Sequence, residues 1–367
     1  MLVQLPPPSH GAAEMNKLAI SALRDVTNYD IHVIDISPPQ SIGRVGRLAI
    51  NKVLYSFRVW SALIACVLRV RPETCYFAIP VRGYAFYREL VTLFLLRIFG
   101  VRRVFHLHAQ GVRASIVKHD WRRSLYEFAF RDAEVIVTSP RLIEDVRAVV
   151  PDTHVHVVPN GIPDPTSVTS GWPGDRSGEP IRAEEPVLLF LSNMFESKGP
   201  LVLLEAAAIL KERGCRFRLQ MAGAWVPPLT QTFMTERLRE LGLAAQVSLL
   251  GAVAGEAKAA AFRASNIFVH PTYDEAFPLV LLEAMAFSLP VVSTSVGGIP
   301  DIVLPRETGF LVAERDPLAL ARTLQYLIED RDACLRMGRN GRQRFEALFT
   351  EAAFRYSLQN TVSRLLQ

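Results

Sequence analysis

The stretch HPTYDEAFPLVLLEAMAFSLPVVSTSVGGIPDIV, residues 270–303, decides how the chain is read. A polar loop leads into an apolar segment that Pro278 can open, because the first turn of a helix has no use for the N–H that proline lacks. The expected helix, 278–287, gives way to a short apolar strand, 291–293, and then to the paired glycines Gly297-Gly298. A strand, a helix of about ten residues and another strand form the unit from which parallel sheets are built.

The same alternation extends in both directions. PVLLFL, 186–191, is too short for a helix and apolar throughout, as expected of a strand buried on both faces. Further strands are expected at 216–221, 247–250, 267–269 and 310–312, with helices at 200–212, 230–241 and 256–263. The N-terminal half repeats the pattern with more noise. Its expected strands are 2–5, 31–36, 75–79, 103–108, 135–138 and 155–158, and its longest apolar helix is 48–68. Between the halves, 163–186 holds five prolines, three glycines and little apolar content, which reads as a linker. The fold class expected is α/β, with two Rossmann-like doubly wound domains facing a cleft. The bounds are 1–162, a linker 163–186, 187–347, and a final segment 348–367 returning to the first domain.

The bulk numbers agree. The 367 residues are enough for two cores, and 50% hydrophobic with 21% charged residues excludes a disordered chain. Four scattered cysteines, with no CxxC pair, exclude a disulfide scaffold and a cysteine zinc site, and suit a reducing, cytoplasmic setting. Pro6-Pro7-Pro8 arrives too early for a signal peptide, and uninterrupted apolar runs fall short of a membrane span. Charge is uneven: residues 1–160 carry 20 Lys and Arg against 13 Asp and Glu, and the remainder 21 against 23. No acid lies between Asp35 and Glu73 or between Glu89 and Asp120. Basic residues set among large apolar ones over 41–71 and 90–118 suit an anionic membrane surface, with a plain solvated face as the alternative. No nucleic-acid module is visible, so no nucleic-acid partner is expected.

Several residues carry chemistry. Glu275 precedes the helix opened by Pro278, and Glu283 lies within it among Leu281, Leu282, Ala284 and Met285, where a carboxylate needs a partner. The helix start around Phe277, Pro278 and Leu279 offers free amides and a positive dipole end, suited to a phosphate. Lys198-Gly199, between a strand and a helix, offers the same, and Gly297-Gly298 permits close backbone approach. Of His106 and His108, which alternation places on one side, His108 is taken as the site residue and His106 as packing. No metal site is read: the two histidines lack a third ligand at sensible spacing, and Asp330-Arg331-Asp332 lies in a charged helical region, as a solvated face.

Together, Glu275-x7-Glu283 within the opening stretch, VVPNGI at 157–162, LPPPSHGAAEMNKLA at 5–19 and the final helix 351–366 resemble a family 4 retaining glycosyltransferase of the GT-B fold. That resemblance implies that Lys198 binds the donor diphosphate, Glu283 the nucleotide ribose and Glu275 the transferred sugar. It implies His108 beside that sugar, Gly11 near the reacting centre and Asn160 lining the region between the domains. Asn193 departs from the family, which usually has an arginine five residues before the loop lysine. The implied donor is a UDP-, GDP- or ADP-sugar, with no metal or other cofactor. The implied acceptor is a glycan or a lipid-linked molecule, in cell-surface polysaccharide synthesis on the inner face of the membrane. Two other readings are a GT-B nucleotide-sugar 2-epimerase and an inactive glycosyltransferase-like binding subunit.

Overall fold

A computed structural model describes residues 1–7, 10–26, 29–37, 47–167 and 185–367, without the side chains of 47–52. Pro8, Ser9, residues 41–46 and most of the expected linker, 168–184, lie outside the described residues. The chain divides into two compact units, Met1–Asn160 with Ala352–Gln367, and Gly161–Glu351.

Each unit holds a six-stranded parallel sheet. In the first, β1 (Leu2–Val3), β2 (Ile34–Asp35), β3 (Thr74–Phe77), β4 (Arg102–Leu107), β5 (Ala133–Val137) and β6 (Val155–Val157) lie in the order β2-β1-β3-β4-β5-β6. In the second, β7 (Val187–Leu191), β8 (Arg218–Ala222), β9 (Val247–Gly251), β10 (Ile267–His270), β11 (Val291–Thr294) and β12 (Gly309–Val312) lie in the order β12-β11-β10-β7-β8-β9. The second order is that of a Rossmann sheet, with its reversal between β7 and β10.

Period-two alternation explains why β7, VLLFL, is apolar throughout. Leu188 and Phe190 enter one core with Leu203, Leu204 and Leu219, while Leu189 enters the other with Phe268, Leu282 and Met285. Both faces are therefore covered, and each strand residue in these cores contributes to burial. In the first unit Phe77, Phe105 and Phe130 meet edge to face in the core. The last helix, Glu351–Leu366, packs within the first unit: Arg355 pairs with Asp25 at 2.8 Å and Gln359 donates to the carbonyl of Ala22 at 2.6 Å.

Several expectations change. Strands 2–5 and 31–36 shrink to two residues each, because only Leu2–Val3 and Ile34–Asp35 pair. After β5 the chain makes a 3₁₀ turn, Pro140–Leu142, followed by one α-turn, Ile143–Val146. The helix Val112–Lys118 was not anticipated. Among the described residues, Val53–Val70 is long and apolar enough to cross a membrane by length and composition alone, at mean hydropathy 1.6, with Arg58 and Arg69 interrupting its apolar run. That helix buries Val59, Leu63 and Val67. Asp330 caps the helix Arg331–Leu348 by accepting from the Ala333 amide at 2.9 Å.

Residues 163–167 of the expected linker are anchored to the second unit. Arg342 reaches Asp164 through two nitrogens, at 3.1 and 2.6 Å, and holds its carboxyl below the usual range against the opposing pull of burial.

Candidate functional site

The loops leaving β7, β10 and β11 converge at the sheet's reversal, where open α/β sheets bind ligands. Polar bonds tie them together. Tyr273 N donates to Ser197 O at 2.8 Å, and Thr272 Oγ1 to the same carbonyl at 3.0 Å. Ser293 Oγ donates to His270 O at 2.7 Å, and Thr294 Oγ1 to Thr272 O at 2.5 Å. Gly199, at φ 76°, lies so near Pro271 that an added Cβ would meet its carbonyl oxygen at 2.1 Å. Gly297, at φ 53°, would place a Cβ 2.2 Å from the Glu275 carbonyl oxygen. The paired glycines therefore let the third loop press against the loop carrying Glu275, and the Gly298 amide is spent on Ala276 O at 2.7 Å.

Lys198 and Glu275, from different loops, meet in this cluster. Lys198 Nζ lies 2.5 Å from Glu275 Oε1 and donates to Asp274 O at 2.9 Å. His270 Nε2 lies 3.6 Å from the same Oε1, too far for a direct hydrogen bond. Burial pushes the Glu275 carboxyl up, but the facing His270 ring and the Lys198 ammonium more than offset it and hold it below the usual range. Beyond Glu275, Pro278 caps the helix Leu279–Ala286, whose first turn presents the amides of Leu279 and Val280. Phe277 is buried against the Phe349 ring.

Glu283 on this helix does find the partner it needs. Lys258 Nζ sits 2.6 Å from its Oε1, and both line a pocket of about 390 Å³ with Phe262 and Phe287. Asn193 does not reach outward as an arginine would. Its Oδ1 accepts from the Ala224 amide at 3.3 Å, bracing the loop after β7.

The sequence reading missed Lys258, His270 and Arg315. His270 had a usable signal, as a polar residue ending a strand at the carboxyl edge. Lys258 had none: a lysine in the helix Gly255–Arg263 looks like any solvated lysine. Arg315, whose guanidinium lies 4.2 Å from the Tyr273 ring centre, comes from the loop after β12.

The remaining site residues belong to the first unit. Gly11 opens the helix Gly11–Arg24, capped by His10, whose Nδ1 accepts from the Ala13 amide at 3.2 Å. His108 lies just past β4, its Nε2 3.2 Å from Asn16 Oδ1 and its ring 4.2 Å from that of His106. Burial first, then nearby His10, pushes His108 down to about 4, so the ring is neutral at neutral pH. His106 is fully buried with its Nδ1 on the Tyr76 hydroxyl. Asn160 is buried as well.

Comparison with known proteins places this geometry. The model of the glycosyl transferases group 1 family matches residues 174–344. D-inositol 3-phosphate glycosyltransferase of Corynebacterium efficiens is 36% identical over 166 residues, covering 44% of this chain and 39% of that protein. The enzyme of the same name from Streptomyces avermitilis is 38% identical over 157 residues, 41% of this chain and 34% of that one. The matched segments thus span less than half of these relatives. Among solved structures, sucrose-phosphate synthase from Thermosynechococcus elongatus superposes with a TM-score of 0.78 at 21% identity, covering 100% of this chain and 98% of that one. HepE of Anabaena, crystallised with UDP and glucose, gives 0.73 at 21% identity, with 99% and 98% covered. At such identities the structures establish the fold, two Rossmann-like domains of the GT-B type.

Proposed function

We propose that the chain, whose residues 174–344 match the glycosyl transferases group 1 family, transfers a sugar from a nucleoside diphosphate sugar to a glycan or lipid-linked acceptor, retaining anomeric configuration. The meeting of Lys198 and Glu275 at the reversal of the second sheet carries this reading. In the transfer, the carbon–oxygen bond to the diphosphate breaks and negative charge grows on the departing oxygens. An ammonium already held in place stabilises that charge without reorganising in the transition state. Lys198 supplies it, and the first-turn amides of the Leu279–Ala286 helix add their dipoles. Glu275 accepts hydrogen bonds from hydroxyls of the sugar, and Glu283 holds the ribose. The acceptor attacks from the face the diphosphate leaves, and the departing phosphate takes the acceptor's proton.

Membrane docking of the first unit is the second part of the proposal, because its exposed apolar side chains fall at helical spacing. Leu54, Phe57 and Leu68 on the helix Arg47–Val70, and Val91, Phe94 and Ile98 on the helix Gly83–Ile98, are all exposed. The helices are neighbours, with Trp60 Nε1 donating to Thr92 Oγ1 at 3.3 Å. Arg58, Arg69 and Arg71 are exposed too. Not every basic residue serves: Arg103 is buried and donates to the Arg131 carbonyl, and Arg97 donates to that of Phe128. Apolar side chains flanked by cations, with no acid from Leu54 to Arg71 or from Val91 to Ile98, suit the anionic inner face of a cell membrane.

The test is incubation with UDP-, GDP- and ADP-sugars and a lipid or glycan acceptor, reading released nucleoside diphosphate and the product's anomeric configuration. Transfer with retention supports the proposal. Donor isomerisation without transfer favours an epimerase, and no turnover of any donor favours an inactive binding subunit.

A further inference from the structure

The pair formed by Lys258 and Glu283 does more than satisfy a carboxylate among leucines. Its two side chains keep 31% and 20% of their exposure, so the pair is not sealed into the core. It opens instead into the pocket of about 390 Å³ that Pro165, Ala259, Phe262 and Phe287 also line. Phe262 and Phe287 are stacked and buried, giving that pocket a rigid apolar wall.

The pair leaves two complementary functions available. Lys258 engages only Oε1 of Glu283, and among the described residues Oε2 has no hydrogen-bond partner. An ammonium carries three donors, of which Glu283 takes one. A carboxylate oxygen that accepts and an ammonium that donates therefore stand side by side at the pocket. A vicinal diol is the matching group: one hydroxyl donates to the carboxylate, and its neighbour accepts from the ammonium.

We propose that Lys258 and Glu283 act as one two-pronged reader of the ribose cis-diol of the nucleotide donor, with Lys258 as a specificity residue. This rests on the reading of the second unit as a nucleotide-sugar site. Alone, Glu283 can only accept from the diol. With Lys258 beside it, the pocket also donates, so loss of either hydroxyl strands a polar group. Sites built to hydrogen-bond a hydroxyl reject the analogue that lacks it far more strongly than apolar sites do.

The experiment is calorimetric titration with UDP, GDP and ADP, then with the 2′-deoxy and 3′-deoxy forms of whichever binds. Wild type, Lys258→Met and Lys258→Gln are compared, each checked for an intact melting transition. Wild type is expected to bind the ribonucleotide about tenfold or more tighter than either deoxy form. Lys258→Met should bind the ribonucleotide more weakly and discriminate less than about threefold, because it leaves no donor beside Glu283, whereas Lys258→Gln, whose amide still donates, should keep part of the preference. Equal wild-type affinity for ribo and deoxy forms overturns the proposal whatever the variants do. A wild-type preference that survives in both variants overturns the role of Lys258 while leaving the donor site standing. If none of the three diphosphates binds wild type, the donor-site reading and this proposal both fall.

Discussion

The two sheets have the same strand count and the same parallel sense, yet they set out their chemistry differently. In the second unit Lys198, Glu275 and Gly297 lie on three loops laced by short polar bonds, and the charged groups answer one another within a few ångströms. In the first, His108 leans on Asn16 from another helix, beside a buried His106 that bonds Tyr76 from another strand. His106 Nε2 and His108 Nδ1 are buried with no partner among the described residues. The second unit has spent its lysine and carboxylate on a fixed charge arrangement, although His270 Nδ1 and Nε2 are likewise buried with no hydrogen-bond partner among the described residues. The first keeps neutral, buried imidazoles near one end of its sheet and an apolar, basic face along its helices.

The strongest test of that contrast removes charge from the second site. Glu275→Gln keeps shape but loses the anion facing Lys198, and kcat/KM should fall by about 10²–10³, the scale of deleting one preorganised electrostatic partner. A loss below about threefold in steady-state assays would place the chemistry elsewhere. Gly297→Ala should come next. Its positive φ and the 2.2 Å clash with the Glu275 carbonyl predict a loss of about 1–3 kcal/mol, read as a lowered Tm, with activity falling in parallel.

Acid should separate the units. His108 is depressed to about 4 from an ordinary 6.5, so the unfolded chain takes up a proton first, and stability is lost as pH falls from 6.5 through about 4. Glu275 is also depressed, so its contribution is lost only as pH falls below the ordinary carboxylate range. Melting curves across this window should therefore weaken first through the first unit. His108→Gln should flatten part of that dependence, and His106, depressed in the same direction, should retain the rest. An unchanged pH profile in His108→Gln would show that the contrast between the units is misplaced.

The smallest expected effect concerns the apolar face. Phe57→Glu with Phe94→Glu should abolish flotation with anionic vesicles while moving Tm by no more than about 0.5 kcal/mol equivalent, because both side chains are exposed. Binding unchanged by the double substitution, or equal on neutral vesicles, would remove the membrane from the account.

What the sequence revealed follows the same division. The second sheet was legible because a strand buried on both faces is apolar along its middle, as in Leu188, Leu189 and Phe190, and because its turns demand glycine and proline at fixed points. Glu283 was legible as a carboxylate among leucines, but its partner Lys258 was not, since the contact spans 25 residues and no periodicity marks it. In the first unit the edge strands were overestimated. Ile34–Asp35 is half-buried to exposed, so the apolar signal at 31–36 reflects only a short pairing with Leu2–Val3. The long helix was underestimated as a membrane candidate because Arg58 and Arg69 interrupt it, although a helix can carry those charges on its exposed side.

The central claim is that an ammonium at the reversal of the second sheet neutralises a nucleoside diphosphate. Calorimetric binding of UDP, GDP and ADP to wild type and to Lys198→Met tests it most directly. One of the three should bind wild type and lose about tenfold or more in affinity in Lys198→Met, the worth of one charge-assisted contact. Equal affinity in the two proteins, or no binding of any of the three to wild type, would contradict it.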